Sequence, residues 1–154
     1  FCLASAAGKR VCLSDYRQRQ PVVLLFPGDI ESAPARAWLD DYAAQYAALR
    51  EWETEVLVVA RAAPTRAPWP FPVLIDAEGK VRAQYMDEPH QAGVFVLDRY
   101  NAPYRWATAA RVEELWPAAE ALEWVRLAEF SCTMCDDASI EWELSLNLGG
   151  KASQ

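Results

Sequence analysis

Apolar residues along this chain fall into unbroken runs and helical repeats, and their order predicts an α/β fold. Val22-Val23-Leu24-Leu25-Phe26 is a continuous β-branched and aliphatic run, the mark of a central strand covered on both faces. After it, Trp38, Leu39, Tyr42, Tyr46 and Leu49 recur at helical spacing, with Ser32 as the N-cap and Asp40, Asp41 and Arg50 on the wet side. Residues 55–60 contain a second run, Val56-Leu57-Val58-Val59, which predicts a strand parallel to the first because a helix separates the two. At the start, residues 1–5 and 10–13 read as a hairpin around Ala6-Ala7-Gly8-Lys9, with Ser14-Asp15 opening a turn or short helix. Strand alternation sends Phe1, Leu3, Val11 and Leu13 to one side and Cys2 and Cys12 to the other, where the right register sets the two cysteines opposite each other.

Downstream, prolines at 64, 68, 70 and 72 block a long helix across 62–72. Residues 71–76, 81–85, 94–97 and 104–108 read as further strands, the last two joined by Asp98-Arg99-Tyr100-Asn101. Leu115, Leu122, Val125 and Leu127 predict a closing helix, with Pro117 in its first turn. Beyond it, Ile140, Trp142, Leu144, Leu146 and Leu148 alternate with polar residues, the period of an extended strand with one apolar face. That strand packs on its own domain or adds to a protein partner or a second copy of the chain. The reading is one domain over 1–130 and an extension over 131–154.

Composition narrows the function. A chain of 154 residues, 53% of them hydrophobic, has enough apolar material for a full core. A net charge of −7, with scattered basic residues, argues against nucleic-acid binding. Its apolar runs fall short of the roughly 20 residues a membrane helix needs, so a soluble, cytoplasmic protein is expected. Four cysteines, at 2, 12, 132 and 135, are too few and too terminal to be the framework of a disulfide-dependent secreted fold and read as local pairs.

Four segments recur in the order of a known family. They are Gly8-Lys9-Arg10-Val11-Cys12-Leu13-Ser14-Asp15-Tyr16, residues 22–29, Phe71-Pro72-Val73-Leu74-Ile75-Asp76 with Gly79, and Gly93-Val94-Phe95-Val96-Leu97-Asp98. Across about 1–110 the chain resembles the alkyl hydroperoxide reductase and thiol-specific antioxidant family, the peroxiredoxin-like (redoxin) branch of the thioredoxin superfamily. The resemblance implies a thioredoxin-like fold, a central mixed sheet flanked by helices, with an added N-terminal β-hairpin. A helix that many relatives carry over 62–72 is expected to be shortened or lost. In the family, a strand runs into Pro-x-x-x-Thr-x-x-Cys, whose cysteine thiolate is stabilised by a helix start and an arginine. Pro27 keeps its place in that frame. Glu31 stands at the threonine, Pro34 at the cysteine and Ala92 at the arginine, and a carboxylate at Glu31 opposes a nearby thiolate. Ordinary peroxidase chemistry is therefore not expected there.

Cys132-Thr133-Met134-Cys135 is the remaining motif with obvious chemistry. Such a pair closes into a disulfide and exchanges with other thiols, or supplies half of a tetrahedral zinc site. Asp136 and Asp137 raise its thiol pKa values and slow it as a nucleophile. Zinc, the one candidate cofactor, needs two more ligands, which Cys2 and Cys12 provide if the extension folds back on the hairpin. Ordinary reduced or structurally paired cysteines are the plainer alternative. His90 is expected to be a solvated loop residue, and Trp69, among prolines, an exposed contact; Trp38, Trp106, Trp116 and Trp124 fit buried faces. Asp29 and Glu31 invite an acid–base reading, but two carboxylates near a helix start are also what capping selects. Two functions follow. One is a thiol–disulfide oxidoreductase acting through Cys132 and Cys135. The other is a catalytically silent redoxin fold that docks on a larger assembly, with a structural disulfide or zinc.

Overall fold

The computed structural model describes residues 1–88 and 90–131. The expected strand over 140–148 and the Cys132/Cys135 pair lie outside them. The described residues form one seven-stranded mixed sheet in the order β2-β1-β5-β4-β3-β6-β7. The strands are β1 (Cys2–Ser5), β2 (Arg10–Cys12), β3 (Val22–Phe26), β4 (Glu55–Ala60), β5 (Val73–Ile75), β6 (Ala92–Leu97) and β7 (Pro103–Ala109). The helices are α1 (Ala33–Ala44), α2 (Tyr46–Glu51), α3 (Lys80–Tyr85) and α4 (Ala118–Phe130).

As its sequence demands, β3 sits in the middle, parallel to β4 and antiparallel to β6. Every β3 side chain is at most 1% exposed, and each contributes roughly 1.5–3 kcal/mol of hydrophobic stabilisation. Alternation divides them. Val23 and Leu25 pack with Val56, Val58, Val94 and Val96 under α1 and α4. Val22, Leu24 and Phe26 pack on the opposite face with Leu57, Leu97, Val11, Leu13 and Val81, beneath the hairpin and α3. In the hairpin, Leu13 N–H donates to Phe1 O, which makes Cys2 and Cys12 a non-hydrogen-bonded pair, the closer kind of cross-strand pair. Their Cα atoms are 4.0 Å apart and their sulfurs form a disulfide.

Four local expectations change. Residues 81–85 form α3 instead of a strand. Gly79 takes the left-handed φ of 71° that ends the preceding turn, and the Asp76 carboxylate accepts the Arg82 N–H at 3.0 Å. Five residues hold too little of either period to tell a strand from one turn and a half of helix. The long helix after Ser32 breaks at Gln45, where backbone values of −97° and 2° separate α1 from α2. Leu115 is buried in the turn before α4 instead of within it, and Leu127 is 47% exposed. Trp106, expected on a buried face, is 39% exposed on β7, one of the two edge strands among the described residues.

Residues 61–72 contain no helix, as the prolines require. No helix among the described residues is long and apolar enough to cross a membrane. Gly93 on β6 makes room for two side chains: a Cβ there would lie 2.7 Å from Met86 Sδ and 2.9 Å from the Phe95 ring and would force them to shift.

Candidate active site at the start of helix α1

β3 delivers the chain into Pro27-Gly28-Asp29 at the start of α1. Asp29 Oδ1 accepts the Glu31 N–H at 3.0 Å, Ser32 Oγ donates to Asp29 O at 2.8 Å, and the same Oγ accepts the Ala35 N–H at 3.3 Å. Ser32 is thus the N-cap expected of it. Pro34 occupies the first turn, where its missing N–H leaves no bond unmade. Antiparallel pairing of β6 with β7 sets Ala92 opposite Ala109 and brings the segment after β7 alongside α1. The result is a cleft of about 360 Å³ between the two, floored by Pro27, Ser32, Pro34 and Ala92. Pro27, Pro34 and Ala92 therefore line one cleft.

Glu31 does not join them as an acid or base. Its Oε1 accepts the Thr65 N–H at 2.7 Å and the Thr65 hydroxyl at 2.8 Å, and its Oε2 accepts from Arg36 at 3.1 Å. Arg36 donates in turn to Arg66 O at 3.1 Å. These bonds tie the proline-rich loop 61–72 to α1. They also hold the Glu31 pKa below the ordinary glutamate value of about 4.3, led by the Thr65 backbone and hydroxyl bonds and then by Arg36. A carboxylate so held is a poor proton donor at neutral pH. The lowered pKa fixes the sign of its pH dependence: the tie is complete above the ordinary glutamate value and is lost as pH falls through the lower folded value. Glu31→Ala should raise the exchange rate of the Thr65 amide on the order of tenfold and remove its acid-dependent step, as read by hydrogen–deuterium exchange. Unchanged protection would mean that the loop is held without Glu31.

Sequence reasoning missed Arg111, a cation lining the cleft from the segment after β7, with its Nε 3.9 Å from Glu113 Oε2. Only the β6–β7 pairing brings it there, so the local sequence gives no signal. No cysteine stands among the described residues of the lining. Trp69 is not exposed. It is 7% accessible, and its Nε1 donates to Asp40 Oδ1 at 2.8 Å while Arg36 lies 5.3 Å from its ring centre. His90 is half-buried rather than solvated, with Nδ1 2.8 Å from Thr108 Oγ1 and its carbonyl accepting from Arg82 at 3.1 Å.

The Cys2–Cys12 disulfide lies on the edge hairpin, with Cys2 exposed and Cys12 half-buried. In that form neither sulfur is a thiolate, so the four-cysteine zinc set becomes available only after reduction. Among the described residues no three His, Cys, Asp or Glu side chains converge as a metal site. Cys132 and Cys135 lie outside the described residues.

A model of the AhpC/TSA family matches residues 1–101. A search of curated proteins gave no match. Among solved structures, the chain is similar to the peroxidoxin BcpB of Mycobacterium tuberculosis, with 19% identity, 82% of this chain and 92% of that one covered, and a TM-score of 0.69. Its likeness to Enterococcus faecalis AhpC has 17% identity, coverage of 84% and 88%, and a TM-score of 0.74. The reduced 2-Cys peroxiredoxin of Plasmodium vivax gives 11% identity, coverage of 84% and 91%, and a TM-score of 0.69. At these identities the likeness concerns the fold.

Proposed function

The chain belongs to the AhpC/TSA family, the peroxiredoxin-like redoxins of the thioredoxin superfamily, and from that premise we propose that it lacks peroxide reduction at α1 and keeps thiol–disulfide exchange through Cys132 and Cys135. The observation that carries this reading is the cleft at α1. Pro34 and Ala92, which the resemblance sets at the places of the nucleophile and its arginine, line that cleft without a thiol or a charge, and Glu31 is bonded to Thr65 and Arg36. Peroxide meets no thiolate there to attack it.

The exchange itself needs only the motif. The Cys132 thiolate attacks a disulfide sulfur of the substrate, whose other sulfur leaves with the electron pair. Cys135 then attacks Cys132 Sγ, releasing the reduced substrate and closing a Cys132–Cys135 disulfide. Asp136 and Asp137 keep the thiols less acidic, which suits a slow, partner-directed exchange. A cytoplasmic location goes with this reading, since the pair is kept reduced there and its oxidation is transient.

The purified full chain should consume hydrogen peroxide no faster than an ordinary free thiol, yet reduce an aromatic disulfide in an assay that Cys132→Ser or Cys135→Ser abolishes. Fast peroxide turnover that survives both substitutions would overturn the proposal. A second reading, a silent accessory module, draws support from the apolar end of α4, where Phe130 is 75% exposed just before the extension. It gains if neither activity is found and a stable complex is lost on deleting residues 136–154.

A further inference from the structure

The hairpin that carries the Cys2–Cys12 bond is held in place without it. Val11 and Leu13 are 6% and 7% exposed in the core beneath the hairpin and α3. β1 pairs with β5, and Ala6 N–H donates to Val73 O at 2.8 Å. Ser5 N–H donates to Lys9 O at 2.7 Å within the hairpin, and Asn101 Nδ2 donates to Leu13 O at 3.1 Å from outside it. The disulfide closes a loop of sequence separation 10, too short to restrict the unfolded chain as a long loop does. It is also within reach of solvent, since β1 and β2 end the sheet, Cys2 is exposed and Cys12 is half-buried. Exposed disulfides are the ones that exchange readily. The surroundings are cationic in a chain whose net charge is −7. Lys9, Arg10, Arg17 and Arg19 are all exposed, and none of them forms an ion pair among the described residues. Against them stands Asp15, the one carboxylate within 1–20, whose Oδ2 accepts the Cys12 N–H at 3.0 Å.

We propose that Cys2–Cys12 is a thiol–disulfide exchange site in its own right, and that its substrate is a small anionic thiol. Access selects the point of attack, the exposed Cys2. The thiolate of one thiol molecule attacks Cys2 Sγ, the Cys2–Cys12 bond breaks, and Cys12 leaves with the electron pair and takes up a proton from solvent. A second thiol molecule, as its thiolate, attacks the sulfur of the first. The two molecules become one disulfide, and Cys2 leaves as a thiolate that is protonated in turn. Two electrons have passed from the pair of thiol molecules to the hairpin, which now carries two thiols, and the disulfide of the same thiol reverses the process. The four cations raise the local concentration of an anionic thiol. Strand alternation also sets Arg10 on the same face of β2 as Cys12, where a cation favours departure of that sulfur as a thiolate. Beside the sulfurs this face carries Ala4 and Arg10. It offers no large apolar side chain there to anchor a protein, so a small thiol fits it better than the dithiol of a docked partner.

The test uses the full chain carrying Cys132→Ser and Cys135→Ser, so that every sulfur counted belongs to the hairpin and the outcome is separate from that of the dithiol assay above. The probes are 2-mercaptoethanesulfonate, which is anionic, and 2-mercaptoethylamine, which is cationic, with alkylation and mass spectrometry to count the thiols released. Both hairpin thiols should appear without denaturant, at a rate that rises with probe concentration, while the Val11 and Leu13 amides stay protected from hydrogen exchange. At equal thiolate concentration and low salt the anionic probe should be faster by about tenfold. That ratio should shrink as salt screens the cations, and shrink again in the Lys9→Gln/Arg10→Gln chain, whose altered side chains are exposed. Reduction that requires denaturant would make the bond a structural staple and overturn the proposal. So would a ratio that neither salt nor the substitutions change, or reduction by an acidic protein dithiol with both small probes inert.

Discussion

Returning a cysteine to position 34 alone, as Pro34→Cys, should give a chain that reduces peroxide on the order of a hundred to a thousand times more slowly than the triple variant Pro34→Cys/Glu31→Thr/Ala92→Arg. The single variant regains a sulfur at the first turn of α1, where the helix dipole favours a thiolate. It keeps Glu31 bonded to Thr65 and Arg36, so position 31 offers the peroxide no hydroxyl. Ala92 also gives it no donor for the oxygen that becomes negative as the O–O bond breaks, and the cation that does line the cleft, Arg111, lies 3.9 Å from Glu113 Oε2. Ala92 lines the cleft of about 360 Å³, so an arginine there has room to reach the peroxide. Stopped-flow consumption of hydrogen peroxide measures the difference. Equal rates in the single and triple variants would mean that Pro34 alone silences the site and that the surrounding charges do not matter.

Much of this arrangement was legible in the sequence, and the reason is burial. The continuous apolar runs at 22–26 and 55–60 admit one placement, in mid-sheet with both faces covered. Ser32 announces α1 through a local hydrogen bond that its own side chain makes. The hairpin register that faces Cys2 with Cys12 follows from strand alternation and a short turn. What escaped depends on partners far away in sequence. Arg111 reaches the cleft through the pairing of β6 with β7, Glu31 is occupied by Thr65 from another segment, and α3 is fixed by the Asp76 cap on a stretch too short to show a period. Trp69 was misread because prolines mark irregular backbone, and irregular backbone is usually exposed. Here the loop 61–72 lies on α1 and contributes Trp69 and Phe71 to the core.

Trp69→Ala should consequently lower the unfolding free energy by about 3–5 kcal/mol, the cost of deleting a large buried ring, from a total of roughly 5–15 kcal/mol for a domain. Trp69→Phe keeps most of the apolar volume and loses the bond to Asp40. Since Asp40 is exposed and water replaces the lost donor, this change should cost about 1 kcal/mol. Urea titration of both variants reads the difference, and a Trp69→Ala chain within 1 kcal/mol of wild type would show that the loop is not part of the core. Trp69 inside and Glu31 at the surface both anchor the loop, so their losses should not add. Once the ring is gone and the loop lifts, Thr65 leaves Glu31, and Glu31→Ala has little left to remove. The double variant should therefore be nearly as stable as Trp69→Ala alone. By the same logic the triple variant at α1 stays folded, because the ring still holds the loop after Glu31→Thr has cut its outer tie.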